Sequence, residues 1–219
     1  MTDIAASDEL MDRLYRRQRH VYDVTRKYYL LGRDRLIRRL DPPAGSRVLE
    51  IGCGTARNLI VAAQHYRDVR FFGIDISSEM LETARRVVER EGLGPDIRLA
   101  RADATVFDPA LLFGVPGFSR IFISYSLSMM PGWQVVLERA LHWLQPGGEL
   151  HVVDFGGQEG LPPWFRVGLR EWLRLFHVAP RDELERELSL LGLRTGAITI
   201  FERPFRGYAQ YAICRRLAG

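Results

Sequence analysis

The chain has 219 residues, of which 47% are hydrophobic and 26% are charged. This length accommodates one well-cored domain with attachments, whereas two full domains would be cramped. Every apolar run is shorter than the roughly 20 residues of a membrane-spanning helix, and the amino terminus lacks a signal-peptide pattern, so we expect a cytoplasmic protein.

The net charge of +4 is unevenly distributed along the chain. Residues 13–39 contain ten arginines or lysines and two acids, a charge of +8 that leaves −4 for the remainder. A segment this basic is expected to bind phosphates, either of nucleic acid or of an anionic membrane surface. Cys53 and Cys214 have no metal-ligand spacing, so neither a disulfide nor a metal site is predicted, and Cys53 is interpreted as a small turn residue.

The amino-terminal segment predicts a basic amphipathic helix over residues 8–31, with apolar and tyrosine side chains on one face and arginines on the other. Tyr15, Tyr22 and Tyr29 recur every seven residues. Amphipathic tyrosines suit a surface shared with a ligand or with lipid headgroups. A helix packed on the core with a solvated charged back is the alternative. Two prolines and a glycine end the segment, which divides the chain into a helical lid (1–44) and a main domain (45–219).

Residues 48–58, VLEIGCGTARN, predict a buried strand that turns sharply into a helix. Gly52 and Gly54 let the backbone turn and approach a ligand closely. The turn presents backbone N–H groups and the positive end of a helix. Glu50, at the carboxyl end of the strand, can polarise a cationic ligand group. Arg57 occupies the third glycine position of the dinucleotide pattern, which argues against a pyrophosphate there.

A second strand is predicted over residues 71–75 and ends in Asp75, 21 residues after Gly54. That spacing suits a carboxylate that accepts both hydroxyls of a ribose. A nicotinamide-binding turn is the alternative interpretation.

The turn and this acid resemble the class I S-adenosylmethionine-dependent methyltransferases, whose first motif is an acid-x-Gly-x-Gly-x-Gly turn. Here the last glycine is replaced by Ala56. The resemblance implies S-adenosyl-L-methionine as the cofactor and an α/β, Rossmann-like, doubly wound seven-stranded sheet with an antiparallel last strand. The implied cofactor-binding residues are Glu50, Gly52, Gly54, Arg57 and Asn58 in the turn, Asp75 at the ribose, and Ile76, Met80, Asp103 and Ala104 around the adenine.

The remaining elements alternate in a manner that matches this sheet and end in a strand pair that nicotinamide folds lack. Strands are predicted over 97–101, 119–124, 149–154, 195–201 and 207–214; helices over 77–91, 133–144, 164–176 and 182–191, the last ended by Gly192; and a turn over 146–148. Ser124 and Tyr125 follow at the carboxyl end of the fourth strand, across the crevice from the glycine turn, where ligands sit in open parallel sheets.

The predicted helix over residues 164–176 has an apolar half that carries two tryptophans. Arg166, Arg170 and Arg174 form a stripe on the opposite side. The pattern suits a helix at a membrane interface, and it equally suits a crossover helix packed on the sheet.

The amino-terminal segment carries a second resemblance. His20-Val21-Tyr22-Asp23, followed by Leu30-Leu31-Gly32, is similar to the lead-in of quinone- and lipid-modifying methyltransferases, where the tyrosine of a Tyr-Asp pair closes over the cofactor. This implies that Tyr22 contacts the cofactor and closes the site. Tyr22, His20 and Tyr125 are the candidate catalytic residues that could assist proton loss from an amine.

Residues 15–34 resemble bacterial enzymes that trimethylate diacylglyceryl-homoserine to the betaine lipid diacylglyceryl-N,N,N-trimethylhomoserine. The resemblance implies a lipid substrate at the membrane surface, anionic lipids as partners, and peripheral association with the inner face of the membrane. It also allows a lipid-precursor synthase as a partner. Methylation of phosphatidylethanolamine or of a quinone ring is the alternative enzymatic reading. A nucleic-acid-binding protein is the alternative outside enzymes, and no recognised binding module supports it.

Overall fold

The structure is a computed structural model that describes residues 30–218. The predicted helix over residues 8–31 therefore lies outside the described residues except for its last two positions. Within the described part, helices and strands alternate as the sequence predicts. They are α1 (Arg33–Arg39), β1 (Arg47–Ile51), α2 (Arg57–His65), β2 (Arg70–Asp75), α3 (Ser78–Arg90), β3 (Ile97–Arg101), α4 (Pro109–Phe113), β4 (Phe118–Ser124), a 3-10 turn (Leu127–Met129), α5 (Trp133–His142), β5 (Leu144–Phe155), α6 (Pro163–Arg174), α7 (Leu184–Thr195), β6 (Ile198–Glu202) and β7 (Ala209–Arg215).

The seven strands form one sheet in the order β3-β2-β1-β4-β5-β7-β6. β1 pairs in parallel with β2 on one side and with β4 on the other, and β7 is antiparallel to both of its neighbours. The predicted sheet and its antiparallel last strand are confirmed. From β1 the sheet grows toward β2 and β3 on one side, and the chain then continues with β4 and β5 on the other side. The crevice between β1 and β4 is therefore the topological switch point, where ligands of such sheets bind.

Helices cover both faces of the sheet. The apolar side chains of α1, α2, α3 and α6 pack on one face, and those of α4, α5 and α7 pack on the other. The middle of β1 is therefore buried from both sides, and Val48, Leu49 and Ile51 are fully buried. This explains why Val48, Leu49 and Ile51 do not follow the strict alternation of apolar and polar residues that a half-exposed strand shows.

Residues 146–148, predicted as a turn, lie inside β5 instead. The pairing between β4 and β5 shifts register between Phe118 and Arg120, and Gly147 adopts a φ of 73°. The extra residues are accommodated as a bulge, after which the strand resumes at Glu149. The prediction was wrong because a glycine with positive φ occurs in bulges as well as in turns.

The prediction that Gly192 ends the seventh helix is also wrong. α7 continues to Thr195 and ends at Gly196, which has a φ of 70°. Gly192 is buried within α7, and a β-carbon there would lie 2.8 Å from the backbone oxygen of Ala197. The glycine is thus required by the close approach of the chain that leads into β6.

The helix over residues 164–176 packs one side on the core, as the crossover interpretation predicts, and its role at a membrane interface stays a prediction. Leu173 is buried, and Leu169 and Trp172 pack against the core. Trp164 and Val167 are exposed to 75% and 61%. Within residues 30–218, the structure contains no helix long and apolar enough to cross a membrane.

We predict that Gly192→Ala lowers the free energy of unfolding by about 1–3 kcal/mol, because the new methyl group meets backbone that cannot rotate away. Gly168→Ala is the matched control, since Gly168 lies in α6 with open space around its α-carbon. It should stabilise the protein by up to about 1 kcal/mol through helix propensity. Urea unfolding measures both changes, and equal effects of the two substitutions would contradict the packing argument.

Candidate cofactor and active site

A pocket of about 290 Å³ lies at the carboxyl ends of β1 and β4, where the sheet topology predicts a ligand. Most of its wall comes from the glycine turn between β1 and α2. The lining residues are Leu30, Arg33, Glu50, Gly52, Cys53, Gly54, Thr55, Arg57, Asn58 and Ser124. The structure therefore brings together six of the predicted site residues, five from the turn and Ser124 from β4.

Gly52 is held in a position that only glycine can occupy. Its φ is 72°, and a β-carbon on it would lie 2.5 Å from the β-carbon of Ser126. The N–H groups of Gly52 and Cys53 both donate to the carbonyl oxygen of Ile74, at 2.9 and 3.0 Å. The Ser126 hydroxyl donates to the carbonyl of Ile51 at 3.0 Å. The turn is thus clamped between β2 and the segment that follows β4.

Ala56 replaces the last glycine of the resembled motif, and it adopts the left-handed conformation with a φ of 62°. It immediately precedes α2 and is fully buried. The backbone shape of the motif is therefore retained. An alanine in this conformation carries steric strain that a glycine would avoid.

Glu50 and Asn58 present fixed polar groups to the pocket. Glu50 is almost completely buried, and the Asn58 side-chain amide donates to its Oε1 at 2.7 Å. This hydrogen bond fixes the carboxylate where it can receive a cationic ammonium group. The Ser124 hydroxyl is also buried in the pocket wall and has no hydrogen-bond partner among the described residues. A buried hydroxyl of this kind calls for a partner from a ligand.

Asp75 joins the glycine turn to the start of α3. Its Oδ2 accepts the N–H of Gly54 at 2.8 Å, and its Oδ1 accepts the N–H of Ser77 at 3.0 Å. These hydrogen bonds fix the Asp75 carboxylate beside the glycine turn, although Asp75 is not among the residues that line the pocket. The roles that the sequence assigns to the turn, to Glu50 and to Asp75 in binding S-adenosylmethionine stay predictions.

The predicted adenine residues lie beside this pocket, on the same edge of the sheet, and are not part of its lining. Met80 is buried in the first turn of α3, whose Ser77 cap accepts the Met80 N–H at 3.3 Å. Ile76, Asp103 and Ala104 are half-buried after β2 and β3. The Asp103 Oδ1 accepts both the N–H and the hydroxyl of Thr105, which fixes its orientation. Their contact with adenine stays a prediction.

Four of the ten lining residues were not predicted as site residues: Cys53 and Thr55 lie within the predicted turn, whereas Leu30 and Arg33 lie far from it in sequence. Leu30 and Arg33 belong to the segment that leads into α1 and crosses the pocket. The Tyr125 hydroxyl donates to the carbonyl oxygen of Leu31 at 2.5 Å. Asp34 forms an ion pair with Arg57 at 2.8 Å. The segment is therefore attached to both sides of the pocket, and only contacts distant in sequence reveal it.

The three predicted catalytic residues have different outcomes. Tyr22 and His20 lie outside the described residues. Tyr125 is buried after β4, and its side chain supports Leu31 instead of lining the pocket. Burial, reinforced by the negative charge of Asp154, raises the pKa of Tyr125 well above its usual value. This geometry favours a positioning role for Tyr125 over that of a proton acceptor.

Helix α1 is held on the sheet by apolar and charged contacts. Leu36 and Ile37 are buried against the core. Arg35 and Arg39 both bind the carboxylate of Glu202, at 2.6 and 2.8 Å. The guanidinium of Arg39 also lies 4.7 Å from the centre of the Tyr211 ring, within cation–π range. We call residues 30–39 the pocket cover. Arg35 and Arg39, two basic residues of the segment 13–39, thus hold the pocket cover on the sheet.

A buried polar chain lies under α1. The Tyr211 hydroxyl lies 2.8 Å from His151 Nδ1, and His151 Nε2 lies 3.0 Å from Glu149 Oε2. Burial lowers the pKa of His151, so the ring is neutral. The hydrogen bond from His151 and the contact with Arg215 lower the pKa of Glu149 from 4.5 to about 2. A neutral ring that donates from Nε2 and accepts at Nδ1 satisfies the whole chain.

Cys53 lies in the glycine turn with only 6% of its surface exposed. Burial raises the pKa of its thiol, and the nearby charges of Asp75 and Glu50 raise it further. The group is thus a thiol at neutral pH, in agreement with its interpretation as a small turn residue.

A glycine turn followed by an acid, at the switch point of a seven-stranded sheet with an antiparallel β7, is the arrangement that the resemblance to class I S-adenosylmethionine-dependent methyltransferases predicts. Comparison with known families agrees, because residues 48–148 match the family described as a methyltransferase domain. This part of the chain is therefore similar to methyltransferase domains.

Individual relatives also carry methyltransferase names. An O-methyltransferase of Penicillium expansum is 31% identical over 79% of this chain and 62% of its own. A phosphatidylethanolamine N-methyltransferase of Cereibacter sphaeroides is 34% identical over 50% of this chain and 51% of its own. A solved structure of Haemonchus contortus phosphoethanolamine N-methyltransferase 2 with S-adenosyl-L-methionine matches with a TM-score of 0.68 and 17% identity, over 85% of this chain and 52% of that one. The chain spans about half the length of the curated relatives it matches.

We predict that Asp75→Ala weakens S-adenosylmethionine binding at least tenfold, about 1.4 kcal/mol. The substitution removes the predicted ribose acceptor and releases the Gly54 N–H. Asp108→Ala is the matched control, because Asp108 also accepts two backbone N–H groups but caps α4, away from the pocket. Isothermal titration calorimetry of the two variants tests the assignment, which an unchanged affinity of the Asp75 variant would refute.

We predict that Glu149 contributes stability that depends on pH. Because its folded pKa is depressed, the contribution is fully present above about pH 4.5 and is lost as the pH falls toward 2. Glu149→Gln should lower stability at neutral pH and flatten the acid limb of the stability curve. Glu171→Gln, in an exposed pair with Arg174, serves as the control. Urea unfolding at several pH values measures both, and parallel acid limbs for wild type and Glu149→Gln would show that the network is not the cause.

Proposed function

We propose that the protein is an S-adenosylmethionine-dependent N-methyltransferase that acts on the amine of a lipid headgroup. In its finest form, the proposal is the trimethylation of diacylglyceryl-homoserine to the betaine lipid. The enzyme would act while bound peripherally to the inner face of the membrane.

One observation carries the proposal: the most basic segment of the chain leads directly into the pocket wall. Residues 13–39 carry a charge of +8, and Leu30 and Arg33 of the same segment line the pocket. A segment that binds an anionic surface therefore also closes the reaction site. Such a connection suits a substrate whose headgroup is presented by a membrane.

The comparison with known proteins supports an amine as the acceptor without selecting it uniquely. The relative from Cereibacter sphaeroides bears the name of an enzyme that methylates a phospholipid amine. The relative from Penicillium expansum is named an O-methyltransferase. Phosphatidylethanolamine and a quinone ring, the two acceptors that the sequence left open, stay the alternatives.

The chain's own residues supply orientation and exclusion of water in this proposal. S-adenosylmethionine, when bound, supplies a methyl group that its sulfonium has already activated. Glu50 and Ser124 hold the ligand in the pocket, and the segment from Leu30 to Arg33 keeps water out. The headgroup amine attacks in its neutral form, so each of the three transfers requires the loss of one proton from nitrogen.

Tyr22 and His20 enter the proposal as residues of a lid. Because their segment continues into Leu30 at the pocket, Tyr22 can close the site once donor and amine are bound. His20 or Tyr22 could then receive the proton from the amine, whereas Tyr125 supports the cover through Leu31.

We predict that the purified protein transfers labelled methyl groups to diacylglyceryl-homoserine in mixed vesicles and forms mono-, di- and trimethylated products. Mass spectrometry of total lipid measures the transfer, with phosphatidylethanolamine and a demethylated quinone as competing acceptors. Asp75→Ala is the negative control, and Asp108→Ala should retain activity. Exclusive labelling of the quinone, or of a soluble hydroxyl compound, would refute the lipid-amine assignment.

A further inference from the structure

Five apolar side chains are exposed on the segment that leads into α1, on the β6–β7 loop and on the start of α6, and we call this set the apolar rim. Trp164, Phe165 and Val167 come from the first turns of α6, Phe205 from the loop between β6 and β7, and Leu31 from the pocket cover. Trp164 and Val167 are the most exposed of the set, at 75% and 61%. Arg166 and Arg206 lie among these residues in the sequence.

The apolar rim is held in a fixed shape by backbone hydrogen bonds. The segment between β5 and α6 runs alongside the loop that carries Phe205. The N–H groups of Gly156, Gln158 and Gly160 donate to the carbonyls of Tyr208, Gly207 and Arg206, at 2.9, 2.8 and 3.1 Å. Residues 156–160, which lead to α6, are therefore joined to the β6–β7 loop by three backbone hydrogen bonds.

The β6–β7 loop also adopts an unusual backbone conformation. Phe205 and Arg206 have φ values of 56° and 59°, in the left-handed region that favours glycine. This conformation costs energy and presents the Phe205 ring at the surface, with 46% of it exposed.

The rim adjoins the pocket cover. The Phe205 ring lies so close to Gly32 that a β-carbon there would be 3.5 Å from Phe205 Cε2. Leu31 follows Leu30 of the pocket wall, and its carbonyl accepts the Tyr125 hydroxyl. The apolar rim is therefore continuous with the entrance to the reaction site.

We propose that the apolar rim docks on a phospholipid bilayer and inserts into the boundary between headgroups and acyl chains. Tryptophan and phenylalanine with adjacent arginines are the side chains that favour this boundary. The net charge of +4 and the basic segment that ends at the cover complement an anionic membrane. This docking proposal rests on the proposed lipid-amine function. It adds a membrane-binding surface to that function, because docking would place the pocket entrance at the level of the headgroups.

Membrane binding would have two contributions that respond differently to salt. The basic segment supplies an electrostatic attraction that salt weakens. The apolar rim supplies a contribution from buried apolar surface that salt does not weaken. Binding that persists at high salt therefore reports on the rim.

The experiment uses full-length protein with vesicles of phosphatidylcholine and phosphatidylglycerol, without amine lipid or methyl donor. Trp164→Ser/Val167→Ser should reduce the partition coefficient at high salt about tenfold or more, since two exposed apolar side chains lose their lipid contact. Leu111→Ser/Leu193→Ser is the matched control, because these leucines are 86% and 83% exposed on α4 and α7. The control should match the wild type within about twofold. Brominated acyl chains should quench emission in the wild type more strongly than in Trp164→Phe.

Three results would overturn the docking surface. The first is equal partitioning of the wild type and the Trp164/Val167 variant. The second is an equal loss of partitioning in the control variant. The third is poor quenching of Trp164 by aqueous acrylamide without vesicles, which would show that another part of the chain covers the rim. The same measurements distinguish a failure of the proposed lipid-amine function from a failure of the docking surface. A protein that partitions normally but transfers no methyl group to lipid refutes the lipid-amine function, and one that methylates lipid in detergent micelles but does not partition refutes the docking surface.

Discussion

The close contact between Gly52 and Ser126 is the constraint on which the site depends. With less than a methyl group's room between them, the end of β1 and the segment after β4 are pressed together at the switch point of the sheet. The Ser126 hydroxyl bridges the two by donating to Ile51, and Ile74 of β2 accepts the turn's N–H groups from the other side. Glu50, Asp75 and Ser124, each from a different strand, acquire their relative positions from this junction.

The cover over the pocket depends on the same core through a different route. Arg35 and Arg39 tie α1 to Glu202 on the outermost strand, and Arg39 reaches the ring of Tyr211 on β7. Strands that contribute nothing to the pocket wall therefore hold its lid-side residues in place. The antiparallel strands β6 and β7 therefore hold the pocket cover in place in addition to completing the sheet.

The sequence predicted those features that a local backbone requirement determines. The glycine turn and the acid after β2 are short-range patterns with a fixed geometry, and the structure places the turn residues in the wall of the pocket, while their contact with a cofactor stays a prediction. Leu30, Arg33 and Ser126 were missed because their roles arise from contacts with residues far along the chain, such as Leu31 with Tyr125. Gly147 and Gly192 were misassigned because a glycine in sequence does not distinguish a turn or a helix end from a bulge or a close approach. Tyr22 and His20 stay predictions.

The burial of Cys53 within the glycine turn has a consequence for the chemistry that the protein survives. Oxidants and alkylating agents attack the thiolate, and the surroundings of Cys53 keep this thiol protonated and shielded. A sulfenic acid or a mixed disulfide at this position would add bulk directly beneath the ligand and block the pocket. Cys53 is therefore expected to react slowly with oxidants and alkylating agents, although it lies in the pocket wall.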